Sequence, residues 1–414
     1  MNIYVYADWI SQTENIGNIY VEQSRGTQKI SFEYSSFWLN YASNHSNFFL
    51  DPDLENYRGR QFLNPAKEIF GMLADASPDR WGRTLLARRE QQRAKLESRS
   101  ARLLYAIDYL IGVYDESRMG ALRFKLDPNG PFIDDDSELS VPPIADLREL
   151  EAASRAYEND EDFDNKWINQ LVVPGSSLGG ARPKATVRDL NGDLWIAKFP
   201  SKHDMYDQAA WEMIAHELAK MCGINMPEAR LQKFSDLGST VLFKRFDRDG
   251  SKRIHYASAM SLLGLQDGDN ATAGHGYLDI VQFIRAYSKH PAQDLRELFT
   301  RVAFSIAISN TDDHFRNHAF LLDEDGWKLS PAFDINPSVN QEYLALYITE
   351  AESRMSNKLL LSTAQYYLLS HEDAKEIVNK VDEIVELNWE KLAKRIGISH
   401  QSIEMMRSAF RRKE

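Results

Sequence analysis

The amino-acid sequence predicts an α+β chain: strand-rich at its start, mixed in its middle and mainly helical after His255. Three observations predict it. Apolar alternation marks two strand pairs, one within residues 18–34 and one within 184–199. Leu295, Leu298, Phe299, Val302 and Ile306 recur at helical spacing in the last third. The 414 residues, 43% hydrophobic and 27% charged, are chain enough for two or three units with buried cores.

Each element has a local reason. Asn18-Ile19-Tyr20-Val21-Glu22 and Lys29-Ile30-Ser31-Phe32-Glu33-Tyr34 alternate around Ser24-Arg25-Gly26-Thr27, a hairpin pattern. Ser77-Pro78-Asp79 reads as a helix start, with serine as cap and proline in the first turn. That helix would run through Trp81, Leu85 and Leu86 into a cationic stretch holding Arg83, Arg88, Arg89, Arg93, Lys95, Arg99 and Arg102. The stretch is either a contact face for nucleic acid or an acidic partner, or a solvated helix face with Glu90 and Glu97 as local partners. The acidic residues 134–163 read as a boundary. Residues 184–189 and 193–199 flank Leu190-Asn191-Gly192, and Asn-Gly tolerates the positive φ of a tight hairpin. A helix is expected from about Asp207 to Cys222, with Ala210, Met213, Ile214, Leu218 and Met221 on one face and Gly223 beyond its end. Residues 241–246 read as a strand. The division expected is 1–130, 131–250 and 251–414.

Charge and cysteine usage narrow the function. Lys and Arg number 49 against 61 Asp and Glu, a net charge of −12 that argues against general nucleic-acid binding. One cysteine, Cys222, makes neither an internal disulfide nor a cysteine zinc site. The first residues lack a basic stretch and an apolar core, and no segment is long enough to span a bilayer, so a cytoplasmic protein without membrane contact is expected.

The chemistry lies in an ordered series. Pro174-Gly175-Ser176-Ser177-Leu178-Gly179-Gly180-Ala181 is a small-residue loop whose backbone N–H groups can approach a phosphate. Lys198 ends an apolar strand and reads either as a lysine that holds nucleotide phosphates or as a strand-end lysine that snorkels to solvent. Glu212, with Glu217 as rival, follows on a helix as its ion-pair partner. Lys244-Arg245-Phe246-Asp247-Arg248 offers an extended backbone to an adenine edge. Then comes Asn310-Thr311-Asp312-Asp313-His314-Phe315-Arg316-Asn317-His318, in which Asp312 and Asn317 have the separation of H-R-D-x-x-x-x-N in kinase catalytic loops. An aspartate must face the attacking hydroxyl while an asparagine turns back to the metal. A hairpin around Asp323-Glu324-Asp325-Gly326 leads to Phe333-Asp334-Ile335-Asn336-Pro337, where Asp334 stands in place of the D-F-G aspartate.

This order of features points to a bilobal protein-kinase-like fold with a mainly helical C-lobe and an added N-terminal β-containing domain. Two rival readings are weaker. His314 and His318 are four apart, as for zinc, but Asp313 does not reproduce H-E-x-x-H and the segment lies in a turn. No G-x-S-x-G elbow is present for a serine hydrolase. His314 reads instead as a brace for the catalytic loop.

The sequence also resembles the HipA family, serine/threonine kinases that are toxins of bacterial toxin–antitoxin modules. Phe70-Gly71-Met72-Leu73, Ser77-Pro78-Asp79-Arg80-Trp81-Gly82-Arg83, Gly120-Ala121-Leu122-Arg123-Phe124, Ser177-Leu178-Gly179-Gly180-Ala181-Arg182-Pro183-Lys184, the 244–248 strand, the 311–318 loop and residues 330–337 carry the resemblance. It implies Asp312 as catalytic base, Asn317 and Asp334 as Mg²⁺ ligands and Lys198 as the phosphate lysine. Gly179, Gly180, Ala181, Lys184, Lys244 and Phe246 would surround ATP. Ser177, with Ser176 beside it, would be autophosphorylated to switch the kinase off. The partners implied are a small helix-turn-helix antitoxin of HipB type, DNA only through that antitoxin, and an aminoacyl-tRNA synthetase as substrate. Asp-Ile-Asn replaces D-F-G and no A-P-E segment is found, so activation-loop control does not carry over. A small-molecule kinase, or an inactive module that binds an antitoxin, are the alternatives.

Overall fold

Strands at the start of the chain alternate as the sequence requires: in β1 (Asn2–Ala7), Ile3, Val5 and Ala7 are buried while Tyr4 and Tyr6 are half-exposed. With β2 (Glu14–Ser24), β3 (Thr27–Tyr34), β4 (Gln61–Phe62) and β5 (Leu122–Lys125) it forms a sheet in the order β4-β3-β2-β1-β5. The β2–β3 pairing runs from Gly17 opposite Tyr34 to Ser24 opposite Thr27, the hairpin expected. The computed structural model describes residues 1–10, 12–24, 27–45, 49–133, 141–161, 171, 182–323 and 326–411.

The chain divides into two compact units. One comprises Met1–Lys198, Arg245–Gln266 and Leu321–Gly326; the other comprises Phe199–Lys244, Asp267–Phe320 and Trp327–Glu414. In the first, the helix Arg80–Leu96 begins differently from expectation. Its cap is Asp79, which accepts the Gly82 N–H at 2.9 Å. Ser77 is unavailable because its hydroxyl donates to the Leu73 carbonyl at 2.7 Å, closing the preceding helix Gly71–Asp75. Strands β6 (Lys184–Arg188) and β7 (Leu194–Lys198) pair antiparallel, and Gly192 takes φ +87° in their turn.

The second unit is mainly helical. The helix Gln208–Met221 is capped by Asp207 through the Ala210 N–H, and Gly223 beyond it takes φ +86°. Ala210, Ile214 and Leu218 are buried, but Met221 is exposed, because the helix ends before its last turn is covered. Asp207 also accepts the Ser239 N–H and hydroxyl, fixing the start of β9 (Gly238–Lys244), which pairs with β8 (Ala229–Ser235). The strand expected at 241–246 thus begins and ends earlier. Trp389 stacks on Phe410 at 4.6 Å, joining the helix His371–Ile396 to the C-terminal residues. The α+β class, the N-terminal β-containing part and the mainly helical C-terminal part are all as expected. Among the described residues no helix is long and apolar enough to cross a membrane.

Candidate active site

The helix Pro291–Ala307 buries Leu295, Leu298, Phe299, Val302 and Ile306 completely, so its end is rigidly placed. Ser309 follows in the left-handed region (φ +53°), and its hydroxyl donates to the Ala409 carbonyl at 2.8 Å. The Asp312–Asn317 loop then closes on itself. The Asp312 carbonyl accepts the His314 N–H at 3.1 Å and Asn317 Nδ2 at 2.9 Å, and the Asn317 N–H donates to the His314 carbonyl at 2.8 Å. The four-residue separation therefore has a geometric cause: it brings the asparagine amide back to the aspartate's own backbone.

The two adjacent aspartates have different surroundings. Asp312 is exposed; Asp313 is buried. Asp313 accepts the Tyr277 hydroxyl at 2.7 Å and the Ser305 hydroxyl at 3.0 Å, and His318 Nε2 lies 2.9 Å from its other oxygen. Burial alone would raise the Asp313 pKa, but the charge and hydrogen bond of His318, with the two hydroxyl donors, hold it below the ordinary carboxylate value. Burial, followed by the Asp313 charge, pushes the Tyr277 phenol well above its usual value. The imidazole set against the loop's buried carboxylate is that of His318, 2.9 Å from Asp313. His314 contributes through its backbone.

The strands Ala319–Asp323 and Gly326–Leu329 form the expected hairpin, with the Ser330 N–H on the Ala319 carbonyl. Arg301 holds the Ser330 carbonyl at 2.6 Å. Asp334 takes φ +55°, a left-handed conformation that aspartate tolerates better than most side chains. The chain beyond it returns to the segment that leads into the Asp312–Asn317 loop: the Ser338 N–H donates to the Ser309 carbonyl at 3.1 Å and the Asn336 N–H to Asn310 Oδ1 at 3.4 Å. Asn310 in turn donates to Ser305, the same hydroxyl that binds Asp313. Asp312, Asn317 and Asp334 thus share one hydrogen-bonded framework.

That framework fits a magnesium ion. Asn317 Oδ1 and Asn336 Oδ1 are buried acceptors without a hydrogen-bond partner. Among the described residues no three His, Cys, Asp or Glu side chains come together as a metal site. One carboxylate and one amide oxygen suit a hard ion that takes its other ligands from phosphate and water.

The remaining expected residues divide between the units. In the first, Lys198 is buried at the end of β7, and Lys184 stands directly opposite it on β6. Lys184 Nζ is held by Asp79 at 2.5 Å. Phe246 packs near Tyr256, with ring centroids 6.3 Å apart. In the cationic stretch Arg93 pairs locally with Glu97, and Arg99 with Glu90 and Glu97, while Arg88 pairs with the distant Asp160. In the second unit, Glu212 is buried on its helix, whereas Glu217 lies 3.6 Å from His216 and 3.8 Å from Arg395. The Lys244 N–H donates to the Glu228 carbonyl. Ser176, Ser177, Gly179, Gly180 and Ala181 lie outside the described residues.

Sequence reasoning missed Tyr277, Ser305, Asp313 and His318 as the brace, and Asn310 and Asn336 as the link to Asp334. The doubled aspartate was the available signal, since the two carboxylates of the pair meet different surroundings, one exposed and one buried.

Residues 176–389, more than half of the chain, match the model of the HipA-like C-terminal domain, and the chain belongs to that family. Among solved structures, HipA of Shewanella oneidensis MR-1, determined with HipB and operator DNA, covers 99% of this chain and 95% of its own, with a TM-score of 0.68 at 16% identity. The two share a fold, which bears out the bilobal kinase-like architecture expected from the motifs. A Sinorhizobium fredii relative, named "Putative kinase Y4mE", is 26% identical over 245 residues, 54% of this chain and 51% of the relative. A Haemophilus influenzae relative, named "Putative kinase", is 25% identical over 179 residues, 39% of this chain and 52% of the relative. The chain spans about half the length of the curated relatives it matches.

Proposed function

We propose that this protein is an ATP- and Mg²⁺-dependent serine/threonine protein kinase and the toxin of a bacterial toxin–antitoxin module. One observation carries the reading. An exposed Asp312 and a buried Asn317 whose Oδ1 lacks a partner sit in one turn, on the framework that also holds Asp334. Asn317 and Asp334 would hold the ion, which neutralises charge on the transferring phosphoryl group. Asp312 orients the substrate hydroxyl and accepts its proton. Lys198 positions phosphates, Glu212 supports it, and the backbone at Lys244 and Phe246 meets the adenine. Gly179, Gly180 and Ala181 cradle phosphates, and Ser177 is the site of autophosphorylation. The three-part division at residues 130 and 250 belongs to the same reading.

The HipA of known structure is accompanied by HipB and operator DNA. By that analogy this chain takes an antitoxin of HipB type and meets DNA only through it; from the family resemblance alone, that antitoxin is a small helix-turn-helix protein and the kinase works in the cytoplasm on an aminoacyl-tRNA synthetase. Incubation of the protein with γ-labelled ATP, Mg²⁺ and lysate tests the reading. Label on serine or threonine of a protein is expected. Label only on a metabolite favours a small-molecule kinase, and no transfer favours an inactive antitoxin-binding module.

A further inference from the structure

We propose that Glu297 and Arg301 are positioning residues for Asp334: their ion pair ties the segment that carries Asp334 to the same helix that leads into the Asp312–Asn317 loop. The proposal rests on the kinase reading above, in which Asn317 and Asp334 hold the metal ion, and adds two residues to it.

Glu297 and Arg301 are four apart on the helix Pro291–Ala307, so their side chains meet on one face. Arg301 is almost completely buried, at 4% exposure. Its guanidinium acts as a fork. Nε and Nη2 donate to Glu297 Oε1 at 3.0 and 2.8 Å, and Nη2 also donates to the Ser330 carbonyl at 2.6 Å. The same carboxylate oxygen accepts the Asn225 N–H at 3.0 Å. The Asn225 carbonyl in turn accepts the Ala332 N–H at 2.8 Å. Ser330 and Ala332 are thus held by two routes that both end on Glu297 Oε1.

Asp334 follows two residues after Ala332 and takes φ +55°. A side chain keeps this left-handed conformation only where the surrounding structure fixes the chain around it. On the far side the Asn336 and Ser338 N–H groups bind Asn310 Oδ1 and the Ser309 carbonyl. On the near side the fixing groups are Arg301 and Asn225. Ser309 and Asn310 come directly after the helix that bears Glu297 and Arg301, and the loop with Asn317 leaves the same helix end. One helix therefore sets both metal-binding side chains, Asn317 from its C-terminal end and Asp334 from its flank. Groups that orient a metal's ligands contribute to metal affinity without touching the metal.

Arg301→Lys keeps the charge and removes the fork, so Glu297 and Ser330 are no longer held together. In the purified full chain, calorimetry should show the Kd of Mg²⁺–ATP raised about tenfold, with the Kd of metal-free ATP, measured in EDTA, changed by less than about twofold. In an Asp334→Ala background the same substitution should change the Mg²⁺–ATP Kd by less than about twofold, because the side chain it positions is gone. Equal losses with and without metal, or a loss that persists in the Asp334→Ala background, mark a general structural role and overturn the proposal. So does an Arg301→Lys protein that binds Mg²⁺–ATP like the parent. If Arg301→Lys does not fold, Glu297→Gln decides by the same comparisons: it keeps an acceptor for the Asn225 N–H, and a rise of about threefold confined to the metal complex is expected. A parent chain that binds no Mg²⁺–ATP removes the kinase reading and this proposal together. A parent weakened by Asp334→Ala but not by Arg301→Lys removes this proposal alone.

Discussion

Asp247 and Asp312 sit in different units, each in a segment dense with polar groups, and they use those groups in opposite ways. Asp247 is fully buried, and its carboxylate accepts Arg245 at 2.9 and 2.6 Å, Arg248 at 2.6 Å and the Gly120 N–H at 2.7 Å. The guanidinium groups continue to the carbonyls of Glu116, Ser117, Arg118 and Gly120. Burial alone would raise the Asp247 pKa, but the two arginines hold it at about 2. Around Asp312 the carboxylate is exposed, a buried amide oxygen nearby has no partner, and Asp334 sits in a left-handed conformation. A saturated network is what a fixed joint requires; unsatisfied acceptors on a strained backbone are what a ligand site requires. The Asp247 network pins the segment that follows Phe246, and the Asp312 turn keeps its carboxylate exposed.

The largest effect should come from breaking the ligand side of this contrast. Asp312→Ala and Asp334→Ala should each lower phosphoryl transfer by about 1,000-fold or more, with the thermal midpoint little changed. Initial rates beside a melting curve test both parts, and a folded Asp312→Ala enzyme of near-parental rate would remove Asp312 from the mechanism.

Asp247→Ala should do the reverse. The buried Arg245 and the partly buried Arg248 lose their shared carboxylate, and a loss of about 3–5 kcal/mol of stability is expected from urea unfolding. A variant as stable as the parent would show that the network is not the joint inferred from its geometry.

Asp313→Asn should fall between, at about 1–3 kcal/mol, because charged hydrogen bonds to buried donors are lost. Its pH dependence has a definite sign. The folded pKa of Asp313 lies below the ordinary 3.8, so its contribution is complete above that value and is lost as pH falls through the lower folded value. Asp247 acts in the same direction, between 3.8 and about 2. The difference in stability between parent and Asp313→Asn should therefore shrink on acidification below about pH 4, as unfolding midpoints over that range will record. A difference that grows with acid contradicts the assignment.

The smallest effect is expected at the exposed cations. Arg93 pairs with Glu97 on the helix surface, where solvent and salt weaken the attraction. Arg93→Glu should leave the unfolding midpoint unresolved from the parent; a clear drop would mean that the surface pairs act as a network.

Much of the fold was legible because its signals are local. Alternation gave the β2–β3 and β6–β7 hairpins, Asn191-Gly192 gave the tight turn, and the spacing of Leu295, Leu298, Phe299, Val302 and Ile306 gave the helix that carries the site. The separation of Asp312 and Asn317 was likewise readable, since a loop that folds back on its own carbonyl needs a fixed number of residues. Local signals failed where a side chain had two possible partners. Ser77 looked like a cap until its hydroxyl was found on Leu73, and His314 looked like the brace until Asp313 was found against His318.

The sequence by itself determined the order of strands and helices, the helix starts near Ser77–Asp79 and Asp207, and the residue types at the candidate site. Only the tertiary structure decided which of two adjacent aspartates is buried, which histidine reaches it, and which carboxylate lies against Lys184. Asp313 is selected by Tyr277, 36 residues earlier, and Lys184 by Asp79, 105 residues earlier. Periodicity and turn chemistry act over a few residues, whereas burial of a charge is settled by whichever donor the packed chain brings within about 3 Å.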